Sequence, residues 1–185
     1  MSRRDDYSLN FELFMQPLRR SPDMAAQVVE GVKCTLGSMF VEAEAIHDVT
    51  LTVLELLDNV HRHADWTAYP PPLLRIWYEM LGPRPHLQIV CENEVIDPEA
   101  TANRLRKITD GTKDPKAALL LLGKSLAQAH LGDRHGTSPG GMGLLEIASL
   151  DRCRLGVRVD RRTFYAEVSV SVPTLDGSVI PNQAI

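Results

Sequence analysis

Two stretches of the chain, about half its length apart, carry residue types that together could hold a nucleotide. The first, Glu55-Leu-Leu-Asp-Asn59-Val-His-Arg-His63-Ala64, lies in a helical pattern in which Glu55, Asn59 and His63 recur at four-residue spacing. On a helix, that spacing draws one polar stripe beside the apolar set Val49, Val53, Leu56, Leu57 and Val60. The second, Ser138-Pro-Gly140-Gly141-Met-Gly143-Leu-Leu-Glu-Ile-Ala148, is a glycine loop that opens a helix. Free backbone N–H groups and the positive end of the helix dipole at such a start favour an anion such as phosphate. A helix-start turn needs unusual φ angles at one position or so; Gly140, Gly141 and Gly143 exceed that requirement.

The elements around these stretches follow from periodicity and from proline and glycine punctuation. Residues 1–22 are polar and irregular, with Leu9, Phe11, Leu13 and Phe14 forming either a short strand or a hydrophobic arm, expected to pack on its own domain. Asp23 stands as the N-cap of a first helix whose apolar face is Met24, Val28, Val29, Val32 and Leu36. A second helix spans residues 42–64 and carries the polar stripe. Pro70, Pro71 and Pro72 forbid helix, and two alternating runs, 73–80 and 86–92, flank a Leu81-Gly82-Pro83 turn. Helices follow at 98–109 and 115–130, each with proline in its first turn, separated by Asp110-Gly111. After a polar loop and the glycine cluster, a short helix runs to about residue 150. Two β-rich runs, 154–160 and 163–172, joined at Arg161-Arg162, close the pattern. Helices segregated from a largely antiparallel sheet make an α/β two-layer sandwich. The expected division is an arm at 1–22, one domain at 23–173 and a tail at 174–185.

Composition narrows the function. At 185 residues there is room for one well-buried core but not two comfortable domains. A hydrophobic content of 44% and charged content of 24% are those of an ordinary globular chain, and a net charge of −4 leaves no electrostatic footprint for nucleic acid. Cys34, Cys91 and Cys153 lie far apart without zinc spacing, so they read as reduced, buried thiols. No apolar run approaches the roughly twenty residues of a membrane span, and the Met-Ser-Arg-Arg-Asp-Asp start lacks the apolar core of a secretion signal. A cytoplasmic protein is expected.

With these residues in view, the chain from about 24 to 172 resembles the histidine-kinase-like ATPases, the group of gyrase B, histidine kinases and MutL. Residues 55–64 are similar to their asparagine box, in the Glu-x-x-x-Asn-x-x-x-His-Ala form of the anti-sigma serine kinases RsbW and SpoIIAB. Gly140-Gly-Met-Gly143-Leu resembles their second glycine box. Nearer still is the SiaB-type branch of bacterial regulators, on the strength of Glu92-Asn93-Glu94-Val95, then Arg104-Leu-Arg-Lys-Ile108, a helix-rich insert and Gly-Gly-Met-Gly-Leu-Leu-Glu-Ile-Ala. The chain departs from the group at the first glycine box. Typical members place Asp-x-Gly-x-Gly after a strand, where this chain has Cys91-Glu92-Asn93-Glu94-Val95-Ile96-Asp97.

The resemblance implies a Bergerat-type sandwich that binds ATP and Mg²⁺. It assigns Asn59 the Mg²⁺ contact, since an amide oxygen can hold a hard cation already shared with phosphates. It makes Glu55 the base, deprotonating water in an ATPase or a Ser/Thr hydroxyl in a kinase. Gly140, Gly141 and Gly143 would cradle phosphate, and Asn93 or Glu92 would accept from the adenine amino group. His63 would contact phosphate or order the site, unless it satisfies a local backbone carbonyl. Residues 98–139 correspond to the nucleotide lid. The implied function is a regulatory kinase phosphorylating Ser or Thr on a small partner protein, of the SiaC or anti-sigma-antagonist kind. The alternative is a catalytically silent module that keeps the fold for protein binding, an idea favoured by the missing Asp-x-Gly-x-Gly. Homodimerisation stays open.

Overall fold

The protein is seen as a computed structural model that describes residues 9–39, 41–81, 84–109, 115–132 and 142–172. In chain order its elements are β1 (Leu9–Pro17), α1 (Met24–Ser38), α2 (Ala43–His63), β2 (Leu73–Leu81), β3 (Arg84–Glu94), α3 (Pro98–Thr109), α4 (Pro115–Gly132), α5 (Met142–Ser149), β4 (Cys153–Asp160) and β5 (Thr163–Ser171). The strands form a single sheet in the order β1-β2-β3-β5-β4, antiparallel at every junction. This is the α/β sandwich expected from the pattern. The segment read as arm or strand is the sheet's edge: β1 pairs with β2 from Leu9↔Met80 to Pro17↔Leu73, with a register shift between Glu12 and Phe14.

Strand alternation decides which side of the sheet the helices cover. Leu74, Ile76 and Tyr78 of β2, Leu87, Ile89, Cys91 and Asn93 of β3, and Phe164, Ala166, Val168 and Val170 of β5 are buried; their sequence neighbours are not. Against this face lie Val49, Val53, Leu56, Leu57 and Val60 of α2, all with no solvent exposure, and then Met24, Val28, Val32 and Leu36 of α1. Burying a side chain of this size contributes about 1.5–3 kcal/mol, so α2 is the helix the core can least spare. Arg152, just before β4, ties its start down, with Nη2 at 3.0 Å from both Glu42 Oε2 and Glu44 Oε2.

Two local expectations change. Asp23 occupies the N-cap position of α1, but its side chain makes no capping hydrogen bond; instead Met24 N donates to Ser21 O at 3.3 Å. Cys34 is exposed on α1, since it falls off the Met24–Leu36 stripe, while Cys91 and Cys153 are buried as expected. Burial pushes the Cys91 thiol up to about 12 and Cys153 to about 11, which makes both poor nucleophiles near neutrality. Among the described residues, no helix is long and apolar enough to cross a membrane.

Candidate functional site

Helix α2 presents Glu55, Asn59 and His63 along one edge of its buried face, all three half-buried. Glu55 meets the second motif directly. Gly143, in the first turn of α5, lies so close that a Cβ built on it would overlap Glu55 Oε2 and stand 3.0 Å from Cδ and 3.3 Å from Cβ. Any side chain here would have to push the Glu55 carboxyl aside, so it is close approach rather than backbone angle that favours glycine. Residues 88 positions apart are brought together by this crossing. Gly140 and Gly141 lie outside the described residues.

The surroundings set the charge states. Burial raises the affinity of the Glu55 carboxyl for its proton, the neighbouring carboxylates Glu146 and Asp58 raise it further, and Arg62 opposes. Glu146 follows Gly143 by three residues and so shares its face of α5. It was not singled out from the sequence, although that spacing from the glycine is a signal that points to it. Arg62 bonds Asp58 at 2.9 Å across one turn, in solvent. For His63 the direction is the reverse: burial first, then Arg104 of α3 and Arg62, push its imidazole below the usual histidine range, with Asp58 opposing. At neutral pH His63 is thus a neutral hydrogen-bonding group. Among the described residues, Arg104 and Arg62 are the cations that act on it. Arg104 was noted in the sequence only as part of a string, because nothing local says that α3 faces the end of α2.

The position of the missing first glycine box is resolved residue by residue. Glu92 and Asn93 are adjacent on β3, so they point to opposite faces. Glu92 lies on the helix-free side, in a hollow with Arg75, Trp77 and Tyr165. Asn93 points to the helix side, 4% exposed. Its Nδ2 donates to Glu94 O at 3.0 Å, whereas its buried Oδ1 has no hydrogen-bond partner among the described residues. The strand end that carries it is fastened to the end of α2 by the Ala64↔Val95 bridge and by Asp65 N donating to Glu94 O at 2.8 Å. Asp97, the nearest aspartate, is spent on α3, accepting from Ala100 N at 2.9 Å as its cap. Among the described residues, no three histidine, cysteine or acidic side chains gather as a metal site.

The arrangement therefore offers a basic carboxylate, a neutral amide and a neutral imidazole along one helix, a close-packed helix start beside the carboxylate, and an unpaired buried acceptor near the helix's far end. No protein-family model and no curated protein matches the chain. Among solved structures, a chain from the crystal structure of the SiaB-SiaC complex of Pseudomonas aeruginosa matches over 86% of this chain and 90% of its own length, with a TM-score of 0.61 and 15% identity. The chain has the SiaB-like fold of that structure.

Proposed function

We propose that this chain is a SiaB-like regulatory kinase that uses Mg-ATP to phosphorylate Ser or Thr on a small partner protein. The observation that supports the reading is the contact between Gly143 and the Glu55 carboxyl, which brings one residue from each of the two stretches together. The orphaned Asn93 Oδ1 fits the group too: it is a buried acceptor on the helix side, and an adenine amino group is a donor in need of one. When bound, Mg-ATP would supply the transferable γ-phosphoryl group. Asn59 would offer its amide oxygen to the cation, and Arg104 would add positive charge near His63. Glu55 would take the hydroxyl proton of the acceptor at a carboxylate oxygen made more basic by burial and by Glu146.

Calorimetric titration with a non-hydrolysable ATP analogue and Mg²⁺ tests the binding half; Asn59→Ala should abolish the Mg²⁺-dependent part. The transfer half is tested with Glu55→Gln. Binding should persist while phosphorylation of the partner falls by roughly two or more orders of magnitude. One observation favours a second reading, a silent binding module: Asp97 caps a helix, and no glycine turn follows Asn93. Absence of nucleotide binding by the folded protein would leave that reading standing.

A further inference from the structure

Helix α4 is apolar on both sides. Inward, Ala118 is buried and Leu121 and Leu122 pack on the core. Outward, Leu119 is 59%, Leu120 68% and Leu126 42% exposed. Gly123 sits among these leucines, exposed, with nothing within 4 Å of where its Cβ would stand. The helix contains Lys116 and Lys124 and no aspartate or glutamate, in a chain whose net charge is −4. It packs on α5, the helix whose first turn abuts Glu55.

A helix that is hydrophobic all round is normally covered on all sides, and grouped exposed leucines mark a place where something else lies. We propose that the outer face of α4 docks an acidic amphipathic helix of a partner protein, its apolar ridge on Leu119, Leu120 and Leu126 and its carboxylates beside Lys124. The missing side chain at Gly123 leaves a notch into which the ridge of a second helix fits. A helix offers no free backbone edge, so the occupant does not join as a strand. A second copy is a poor occupant, because pairing two α4 faces sets lysine against lysine with no carboxylate on either helix to offset them. The surface concerns partner binding alone. It is measured without nucleotide, so its failure leaves the Glu55 reading intact, and loss of the Glu55 reading leaves it intact.

The experiment titrates the full chain with a synthetic amphipathic helical peptide bearing leucines on one face and glutamates along its rims. The same peptide with lysines for glutamates and vesicles of phosphatidylglycerol and phosphatidylcholine serve as alternatives. The acidic peptide should bind and protect α4 from hydrogen exchange. Leu120→Glu should weaken it at least tenfold, and Lys124→Glu several-fold with a shallower salt dependence. Leu120→Gln repeats the first test without a new charge, should Leu120→Glu disturb folding. Equal binding of both peptides, or none of the acidic one, overturns the proposal. So does attachment to vesicles in its place, or a concentration-dependent dimer that Leu120→Glu dissolves.

Discussion

Helices α2 and α4 are both long and both carry leucines, yet the fold covers far more of the apolar surface of the first than of the second. In α2 Val49, Val53, Leu56, Leu57 and Val60 are buried, the polar stripe Glu55, Asn59 and His63 runs beside them, and of its large apolar residues only Leu54 is exposed, at 42%. In α4 the buried side of Ala118, Leu121 and Leu122 is answered by exposed Leu119, Leu120 and Leu126. The first helix buries nearly all of its hydrophobicity inside the fold and keeps its polar stripe at the edge of that face. The second has hydrophobicity left over. Equal substitutions should therefore have unequal consequences. Leu56→Ala should cost about 2–5 kcal/mol, because it opens a cavity beneath the sheet-facing side of α2. Leu120→Ala should stay within about 0.5 kcal/mol, as surface changes do. Chemical denaturation measures both; a Leu120→Ala penalty as large as that of Leu56→Ala would mean that α4 is covered within the folded chain, and the contrast would fail.

The crossing of α2 by α5 gives the next largest effect. Any side chain at Gly143 must displace the Glu55 carboxyl, so Gly143→Val should lower stability by about 1–3 kcal/mol, the range for overpacking. Gly143→Val with Glu55→Ala should recover much of that loss, since the side chain it strikes is shortened. Additive losses in the double variant would show that the strain lies elsewhere.

The α2 side of this contrast was legible in the sequence, and the illegible parts share a cause. The spacing of Glu55, Asn59 and His63 fixed their common face because helix periodicity is local. The pairing of Glu55 with Gly143 was an expectation from resemblance, since no local rule says which helix α5 crosses. The choice between Glu92 and Asn93 was open because strand parity tells two neighbours apart only when the buried face is known, and Leu87, Ile89 and Cys91 supply it. Asp23 shows the weakness of reading a cap from residue type: the right residue stands at the right position and its side chain bonds nothing there. Cys34 failed for a similar reason, as cysteine is often buried but the stripe of α1 passes it by. Glu146 and Arg104 were missed because their importance lies in what faces them across the fold.

A smaller effect tests the electrostatics of the α2 stripe through pH. Glu55 has a folded value raised above its ordinary 4.5, so the folded state holds that proton more tightly and the stability it brings is lost as pH rises through the raised value. Near pH 7 the charged Glu55 therefore lowers stability, and Glu55→Gln should raise the melting temperature there, an advantage that vanishes at pH 4 and below. His63 has the opposite sign of slope. Its value is depressed below the ordinary 6.5, so stability is lost as pH falls from about 6.5 through the depressed value, and His63→Gln should flatten that limb. Melting curves from pH 4 to 8 on both variants decide the matter. A Glu55→Gln protein less stable than wild type at pH 7 would show that its carboxylate is satisfied in the fold rather than strained for use.

The smallest expected change separates the two helices most finely, at Gly123. Glycine inside an exposed helix costs about 0.5–1 kcal/mol relative to alanine through backbone entropy, and an alanine Cβ at this place would meet nothing within 4 Å. Gly123→Ala should therefore stabilise the protein by about that amount in chemical denaturation. If α4 were only an outer helix, that would be the whole effect. If its outer face receives another helix, the added methyl group fills the notch between Leu119, Leu120 and Leu126, and the acidic amphipathic peptide should bind more weakly even as stability rises. A gain in stability with a loss of binding is the signature of a residue kept for contact at the expense of the fold. A gain in stability with unchanged binding would take Gly123 out of the docking surface, leaving the exposed leucines and Lys124 to carry it; a loss of stability would show that the helix around Gly123 does not have the open surface from which the contrast with α2 is drawn.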